Sequence, residues 1–302
     1  MKIGITGASG MLGSSLTMLL SKKNEIFATS RNRGLEGKNI EWNCFDLTDT
    51  VTLSNWLHKG KFDVVIHCAA IVNVDVCEDN PDDAIALHIR ATEVIKNYLN
   101  SNGGRLIYIS TDSVFDGEKQ GSYCESHSTN PLNVYAKTKL AGEKLIQEMD
   151  NGLVLRTNII GWIHNDGSSF AEWVLKGLTN NMPLSLFHDV YFSPLHVDDL
   201  SLIIEKIIKK PVFGLYHCAG KESISKYDFG MKMAEIFHLD SESINRVSVD
   251  NMVFKASRPK NMALNSSRLS DKLRCTIPSA KGAVISMKRQ YDSKQFMKKI
   301  NK

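Results

Sequence analysis

The sequence predicts an α/β protein built on a doubly wound parallel sheet, with a smaller C-terminal α/β region packed onto it. Three observations carry this expectation. Short apolar runs alternate with amphipathic helical stretches through the first half of the 302-residue chain, a rhythm that builds a parallel sheet covered on both faces. Runs such as Val64–Ile66 and Leu106–Ile109 are apolar without alternation, as strands buried on both sides are. A glycine-rich turn directly follows the first run.

In chain order, "KIGIT" (Lys2 to Thr6) reads as the first strand, followed by a helix carrying Leu12, Leu16, Leu19 and Leu20. Further strands end at Ser30 ("EIFATS"), Asp46 ("IEWNCFD"), Ala70 ("FDVVIHCAA"), Asp112 ("RLIYISTD") and Thr157 ("GLVLRT"). Helical patterns lie around Val51–His58, Asp82–Asn100 and Val134–Met149. After Thr157 the rhythm changes. "GWIHNDGSSF" reads as a loop, Ala171–Leu178 as a helix, "NNMP" as a turn, His196–Lys209 as a helix and "GLYHCA" as a strand. Helices at Ser225–His238 and near the C-terminus complete the reading, with no internal repeat or low-complexity linker.

Composition excludes several classes. A formal charge of +4 without a dense Lys/Arg block does not describe a nucleic-acid-binding protein. The N-terminus lacks the pattern of a signal peptide, and no apolar run is long enough to span a bilayer. The cysteines Cys44, Cys68, Cys77, Cys124, Cys218 and Cys275 are scattered, without close metal-type pairs. Reduced thiols in a cytoplasmic protein without a metal site are the expectation.

"TGASGMLG" places Gly7, Gly10 and Gly13 between the first strand and the first helix. The first glycine permits a tight turn, the second a close backbone approach to a pyrophosphate, and the third close packing of helix on strand. The amides at the helix start then meet the negative charge. This is a Rossmann-type dinucleotide site, with Gly7, Ser9, Gly10, Met11, Leu12 and Gly13 as candidate cofactor-binding residues. The second strand ends in "ATSRNR", where an NAD-binding site usually carries Asp or Glu. Arg31 stands there instead, with Arg33 close by, and an arginine pairs well with a 2′-phosphate. The expected cofactor is NADP(H), with NAD(H) the alternative.

Residues i and i+4 of a helix share a face and i+2 points nearly opposite. In "PLNVYAKTKLAGE", Tyr135 and Lys139 therefore face one way and Lys137 another. A nearby lysine lowers a phenol's pKa, and such a tyrosine exchanges a proton with a carbonyl or alcohol. Ser110 and Thr111 end a strand, where ligands bind in open parallel sheets.

The Gly-x-x-Gly-x-x-Gly spacing and these catalytic spacings resemble the short-chain dehydrogenase/reductase superfamily. The resemblance implies that Thr111 orients the substrate oxygen, Tyr135 is the acid/base, and Lys139 binds the nicotinamide ribose and tunes Tyr135. It also implies an adenine-edge contact at Asp46 and Leu47, and a small-residue turn under the cofactor at Cys68, Ala69 and Ala70. Length and late loops fit the extended branch. "STDSVFDG", "PLNVYAKTKLAGE", "LVLRTNIIGW", "GLYHCAGKESISKYDFG" and "RPKNMALNSSRL" are most similar to the dTDP-4-dehydrorhamnose reductase family. Related 4,6-dehydratases carry Asp–Glu after the threonine, whereas Ser113 follows Asp112 here. Ser113 also replaces the family's usual tyrosine, and Ile71–Val72 its Tyr–Thr pair.

What the resemblance implies is NADPH-dependent reduction of a nucleotide-activated 4-keto-6-deoxysugar, with no nucleic-acid or membrane partner. A homodimer through the helices near 82–100 and 134–149 is a further expectation. Residues 1–160 would form the cofactor core, with 196–218 packing back onto it; 161–195 and 219–302 would bind substrate. Thr111, Asp112, Ser113, Trp162 and Arg258 are the candidate substrate contacts. For Trp162 a core position is the alternative, and for Arg258 a surface salt bridge. His196 either faces the pocket or caps a helix, and Asp75 and Glu78 read as structural or interface residues. Two other functions stay open: a sugar-nucleotide epimerase on the same fold, and a non-catalytic NADP-binding subunit, since the regulatory β-subunit of methionine adenosyltransferase also resembles this family.

Overall fold

The computed structural model describes residues 1–163 and 169–293. Part of the loop "GWIHNDGSSF", at 164–168, and the Lys-rich end from 294 lie outside them. Seven parallel strands form one sheet: β1 (Lys2–Thr6), β2 (Glu25–Ser30), β3 (Ile40–Cys44), β4 (Val64–His67), β5 (Arg105–Thr111), β6 (Gly152–Thr157) and, late in the chain, Gly214–Cys218. Their spatial order is the late strand, then β6-β5-β4-β1-β2-β3. The order reverses beside β1, which pairs with both β2 and β4. A crevice opens at the C-terminal ends of strands at such a reversal.

Helices α1 (Met11–Leu20), α2 (Thr50–Gly60), α3 (Val74–Asp79), α4 (Pro81–Ile85), α5 (Ala91–Asn102), α6 (Val134–Gln147), α7 (Phe170–Thr179) and α8 (Val197–Lys209) follow in chain order. Alternate residues of each central strand serve opposite faces. Ile107 and Ile109 join one apolar cluster with Leu16, Ile204 and Ile207, whereas Leu106 and Tyr108 join another with Leu57, Ile95 and Leu99. At ten residues, α1 is too short to persist alone in water. Burial of Leu12, Leu16 and Leu20, each contributing about 1.5–3 kcal/mol, holds it in the core.

The stretch read as one helix over 82–100 is interrupted. Between α4 and α5 the backbone widens into a π turn over Ala86–Arg90, and it buries His88 completely. The Nε2 of His88 accepts from the Ile71 amide at 2.9 Å, and its Nδ1 lies 2.8 Å from the Thr138 hydroxyl. Accepting at Nε2 leaves the proton on Nδ1, so His88 is neutral and ties the Ile71 loop to α6.

Three two-stranded ladders missing from the sequence reading organise the C-terminal region. They are β7 (Ile159–Ile160) with β10 (Leu195–His196), β8 (Leu184–Phe187) with β13 (Ile244–Val247), and β9 (Tyr191–Phe192) with β12 (Ile224–Ser225); the late strand of the main sheet is thus β11. Helices α9 (Lys226–Phe237), α10 (Ser267–Leu273) and α11 (Ala280–Asp292) complete the chain.

Helix α6 is seated by a buried ion pair. Glu143 Oε2 accepts from Arg156 Nη2 at 2.7 Å, and its Oε1 accepts from Arg156 Nε at 3.0 Å and from the Ser110 hydroxyl at 2.5 Å. Both charges are almost wholly removed from water. Deleting one member of such a pair costs about 3–5 kcal/mol, because the other is left uncompensated. Glu143→Ala is therefore expected to lower the unfolding free energy by that much, read as a lower urea midpoint, while an apolar replacement of both residues recovers part of it. An unchanged midpoint in the single variant would show that the pair does not hold α6.

Candidate active site

A cavity of about 1000 Å³ opens at the C-terminal ends of the strands. Its walls include Gly7, Ser9, Gly10, Met11, Leu12 and Gly13 of the glycine turn, Arg31 and Asp46–Leu47 at the ends of β2 and β3, and Cys68, Ala69 and Ala70 after β4. Thr111, Asp112, Ser113, Tyr135 and Lys139 line the same space.

The turn is shaped by two glycines in particular. Gly7 has φ +63°, and a Cβ there would lie 2.7 Å from the Ala69 amide nitrogen. A Cβ on Gly13 would lie 2.2 Å from the Gly7 carbonyl oxygen. The third glycine thus lets α1 pack directly on the turn. Gly10, the N-cap of α1, supplies no side-chain cap, so first-turn amides are left for an anion. This cradle and the cation of Arg31 fit a dinucleotide diphosphate and its 2′-phosphate.

Asn133 caps α6 by accepting from the Ala136 amide at 2.9 Å, and Glu78 accepts from the Val134 amide at 2.8 Å. The next residue, Tyr135, is thereby fixed at the cavity. Lys139 faces the cavity one turn on, while Lys137 is exposed. Lys139 Nζ donates to the Ile109 carbonyl at 2.8 Å and lies 4.0 Å from the Tyr108 ring centroid. Burial pushes its ammonium down to about 7, against the charge of Glu143, which holds it up.

The expected tuning of Tyr135 by Lys139 is not what dominates. Burial raises the phenol well above its ordinary value; a hydrogen bond with Thr111 opposes that, and the charge of Asp112 adds to it. Thr111, not Ser110, makes this contact, because the Ser110 hydroxyl is spent on Glu143. Asp112 is itself buried, which raises its carboxyl pKa, and is held by Asn158, Thr111 and Ser113. Burial also pushes the Cys68 thiol up to about 12, so no thiolate forms there at neutral pH. His67 is a packing residue between Thr6 and Thr92.

Two expected substrate contacts stand elsewhere. Trp162 is only 2% exposed and packs in the C-terminal core, stacked 6.0 Å from Tyr291; its neighbour Ile163 lines the cavity instead. Arg258 is ion-paired with Asp75 at 3.0 Å and lies over Phe254, off the cavity wall. Asp75 also accepts from the Ala256 amide. His196 is the N-cap of α8 and accepts from the Asp198 amide at 3.3 Å. Missed by the sequence reading were Asn158, Phe170, Phe192 and Lys226, all cavity-lining. A strand-end asparagine immediately before the Ile159–Ile160 apolar pair gave no periodic signal, and Lys226 read as part of a helix.

Among the described residues no helix is long and apolar enough to cross a membrane. Residues 1–293 match the family described as RmlD substrate binding domain. The chain is 28% identical to the probable low-salt glycan biosynthesis reductase of Haloferax volcanii, over 91% of this chain and 93% of that one. It is 32% identical to the methionine adenosyltransferase 2 subunit beta of Bos taurus, over 89% and 81%. The dTDP-4-dehydrorhamnose reductase of Bacillus anthracis, solved in complex with NADP, superposes with a TM-score of 0.84 at 26% identity, covering 95% of this chain and 98% of that one. With its whole described length matched, the chain belongs to the RmlD substrate binding domain family.

Proposed function

We propose that the protein is an NADPH-dependent reductase of a nucleotide-activated 4-keto-6-deoxysugar. The observation that carries this is the meeting of Thr111, Tyr135 and Lys139 on the wall of the cavity that the glycine turn opens. The similarity to a glycan biosynthesis reductase and to a dTDP-4-dehydrorhamnose reductase supports the substrate class, and the NADP complex of the latter supports the cofactor.

The nicotinamide cofactor supplies a hydride for the keto carbon. Thr111 holds the substrate oxygen and Tyr135 delivers the proton to it. Burial keeps the phenol protonated at neutral pH, which suits a donor in the reductive direction. Lys139, anchored by the Ile109 carbonyl, is placed to hold the nicotinamide ribose. Asp112 with Ser113 after it offers no second carboxylate of the dehydratase kind, which supports simple reduction.

The 32% identity to a methionine adenosyltransferase subunit favours one second reading, a nucleotide-binding regulatory subunit. NADPH oxidation with dTDP-, UDP-, GDP- and CDP-4-keto sugars separates the two, since a regulatory subunit consumes none.

Tyr135→Phe is expected to lower kcat by about 10²–10⁴-fold while leaving NADPH affinity unchanged; full turnover in this variant would remove Tyr135 as the donor. Arg31→Ala should weaken NADPH by about tenfold or more and leave NADH nearly unaffected, the scale of a lost charge-assisted hydrogen bond; equal losses would point to another cofactor selector. The raised phenol pKa also gives a directional pH effect. Ketone reduction should show no fall from Tyr135 ionisation through the neutral range, because the acid form persists; an inflection at about 7 in this direction would belong to Lys139. Oxidation of the product alcohol needs phenolate and should rise about tenfold per pH unit below the phenol's pKa; steady-state rates in both directions from about pH 6 to 9, below the ordinary phenol value, check this.

A further inference from the structure

The cavity carries a cation that none of the roles above uses. Lys226 opens α9, and the β9–β12 ladder sets Phe192 opposite Ile224, two residues before it. Its Nζ lies 3.4 Å from the ring centroid of Phe192 and 4.2 Å from that of Phe170. The two rings box the ammonium through their negative faces but accept no ordinary hydrogen bond. The other buried or paired cations near the site are spent: Lys139 on the Ile109 carbonyl, Arg156 on Glu143, Arg258 on Asp75. Lys226 has no acceptor within hydrogen-bond distance and no ion-pair partner among the described residues, although it lines the cavity.

Its place relative to the chemistry follows from Asp112. That carboxylate adjoins Thr111 and acts electrostatically on both Tyr135 and Lys226. Lys226 thus stands on the C-terminal wall facing the reacting end of the cavity, while Arg31 and the glycine turn belong to the end built from β1 and β2. An ammonium boxed by two rings on a cavity wall, without a protein acceptor, gains most from a ligand oxygen.

We propose that Lys226 is a specificity residue that donates hydrogen bonds to an oxygen substituent of the sugar, next to the carbon that Thr111 and Tyr135 address. This rests on the sugar-nucleotide reading above. The oxygen belongs to a hydroxyl or a carboxylate of the sugar, not to the nucleotide diphosphate, and Phe170 and Phe192 shield the contact from water.

The test is calorimetric titration of the NADP⁺-loaded protein with dTDP, dTDP-glucose and dTDP-glucuronate, for wild type, Lys226→Met and Lys226→Arg. The Met variant keeps a long apolar stem against the two rings. It should bind the dTDP-sugars about ten- to hundredfold more weakly, the scale of a hydrogen bond from a charged donor, with dTDP and NADPH affinities unchanged. The Arg variant should recover part of the loss. A larger loss for dTDP-glucuronate assigns the contact to a carboxylate, and equal losses for the two sugars assign it to a hydroxyl. Unchanged sugar affinity in both variants overturns the proposal, as does an equal loss for dTDP, which would place Lys226 on the diphosphate. Where wild type binds no dTDP-sugar, the same titration is made with the UDP-, GDP- and CDP-sugars; binding of none removes the sugar-nucleotide reading itself, and this proposal with it. Should the Met variant not fold, unaltered selectivity for dTDP-glucose over dTDP in the Arg variant, whose longer fork cannot reproduce the ammonium geometry, overturns the proposal on its own.

Discussion

The wall of the cavity that carries Tyr135 and Lys139 depends on how α6 is rotated against the sheet, and the Glu143–Arg156 ion pair sets that rotation. Tyr135, Lys139 and Glu143 follow one another at intervals of four and so share a helix face. With Glu143 gripped by Arg156 of β6 and Ser110 of β5, the two residues before it on that face are turned to the cavity. Gly142 makes the approach possible: a Cβ there would stand 2.3 Å from the Tyr108 hydroxyl and 2.7 Å from the His88 carbonyl. The pair is a poor source of net stability, since two charges had to leave water. Its geometric strictness is what the site uses, because an apolar contact of the same area would tolerate several rotations of the helix.

The same economy of charge explains the rest of the electrostatics. Three titratable groups that line the cavity, Asp112, Lys139 and Lys226, are all displaced by burial toward their neutral forms. Each is held near its charged form by a neighbour: Asp112 by Asn158, Lys139 by Glu143, Lys226 by Asp112. The phenol of Tyr135 sits among them and is kept protonated by the low polarity of its surroundings more than by any single charge.

The first 160 residues were legible because their information is local. Parallel strands buried on both faces are continuous apolar runs, and six of them were placed from the sequence within a few residues of their observed ends. The glycine turn and the Tyr–x–x–x–Lys face rest on the 3.6-residue period of one helix or the turn at its start, and all of their assigned residues line the cavity. The π turn at Ala86–Arg90 escaped this reading, since one extra residue in a helical turn leaves the apolar pattern nearly intact while it redirects His88 inward.

Beyond Thr157 the local signal weakens, and here tertiary structure decided. Two-residue strands such as Tyr191–Phe192 and Ile224–Ser225 are too short to show a period, yet their pairing brings Phe192 and Lys226 together. Trp162 and Arg258 have the chemistry of ligand contacts, but one went to the core and the other to Asp75. The sequence by itself determined the parallel sheet, the dinucleotide turn and the orientation of Tyr135 and Lys139 on one helix face, because backbone geometry settles each within a dozen residues. Which late side chains meet that face was settled only by the closing of segments separated by a hundred residues, where burial and pairing choose among chemically equivalent candidates.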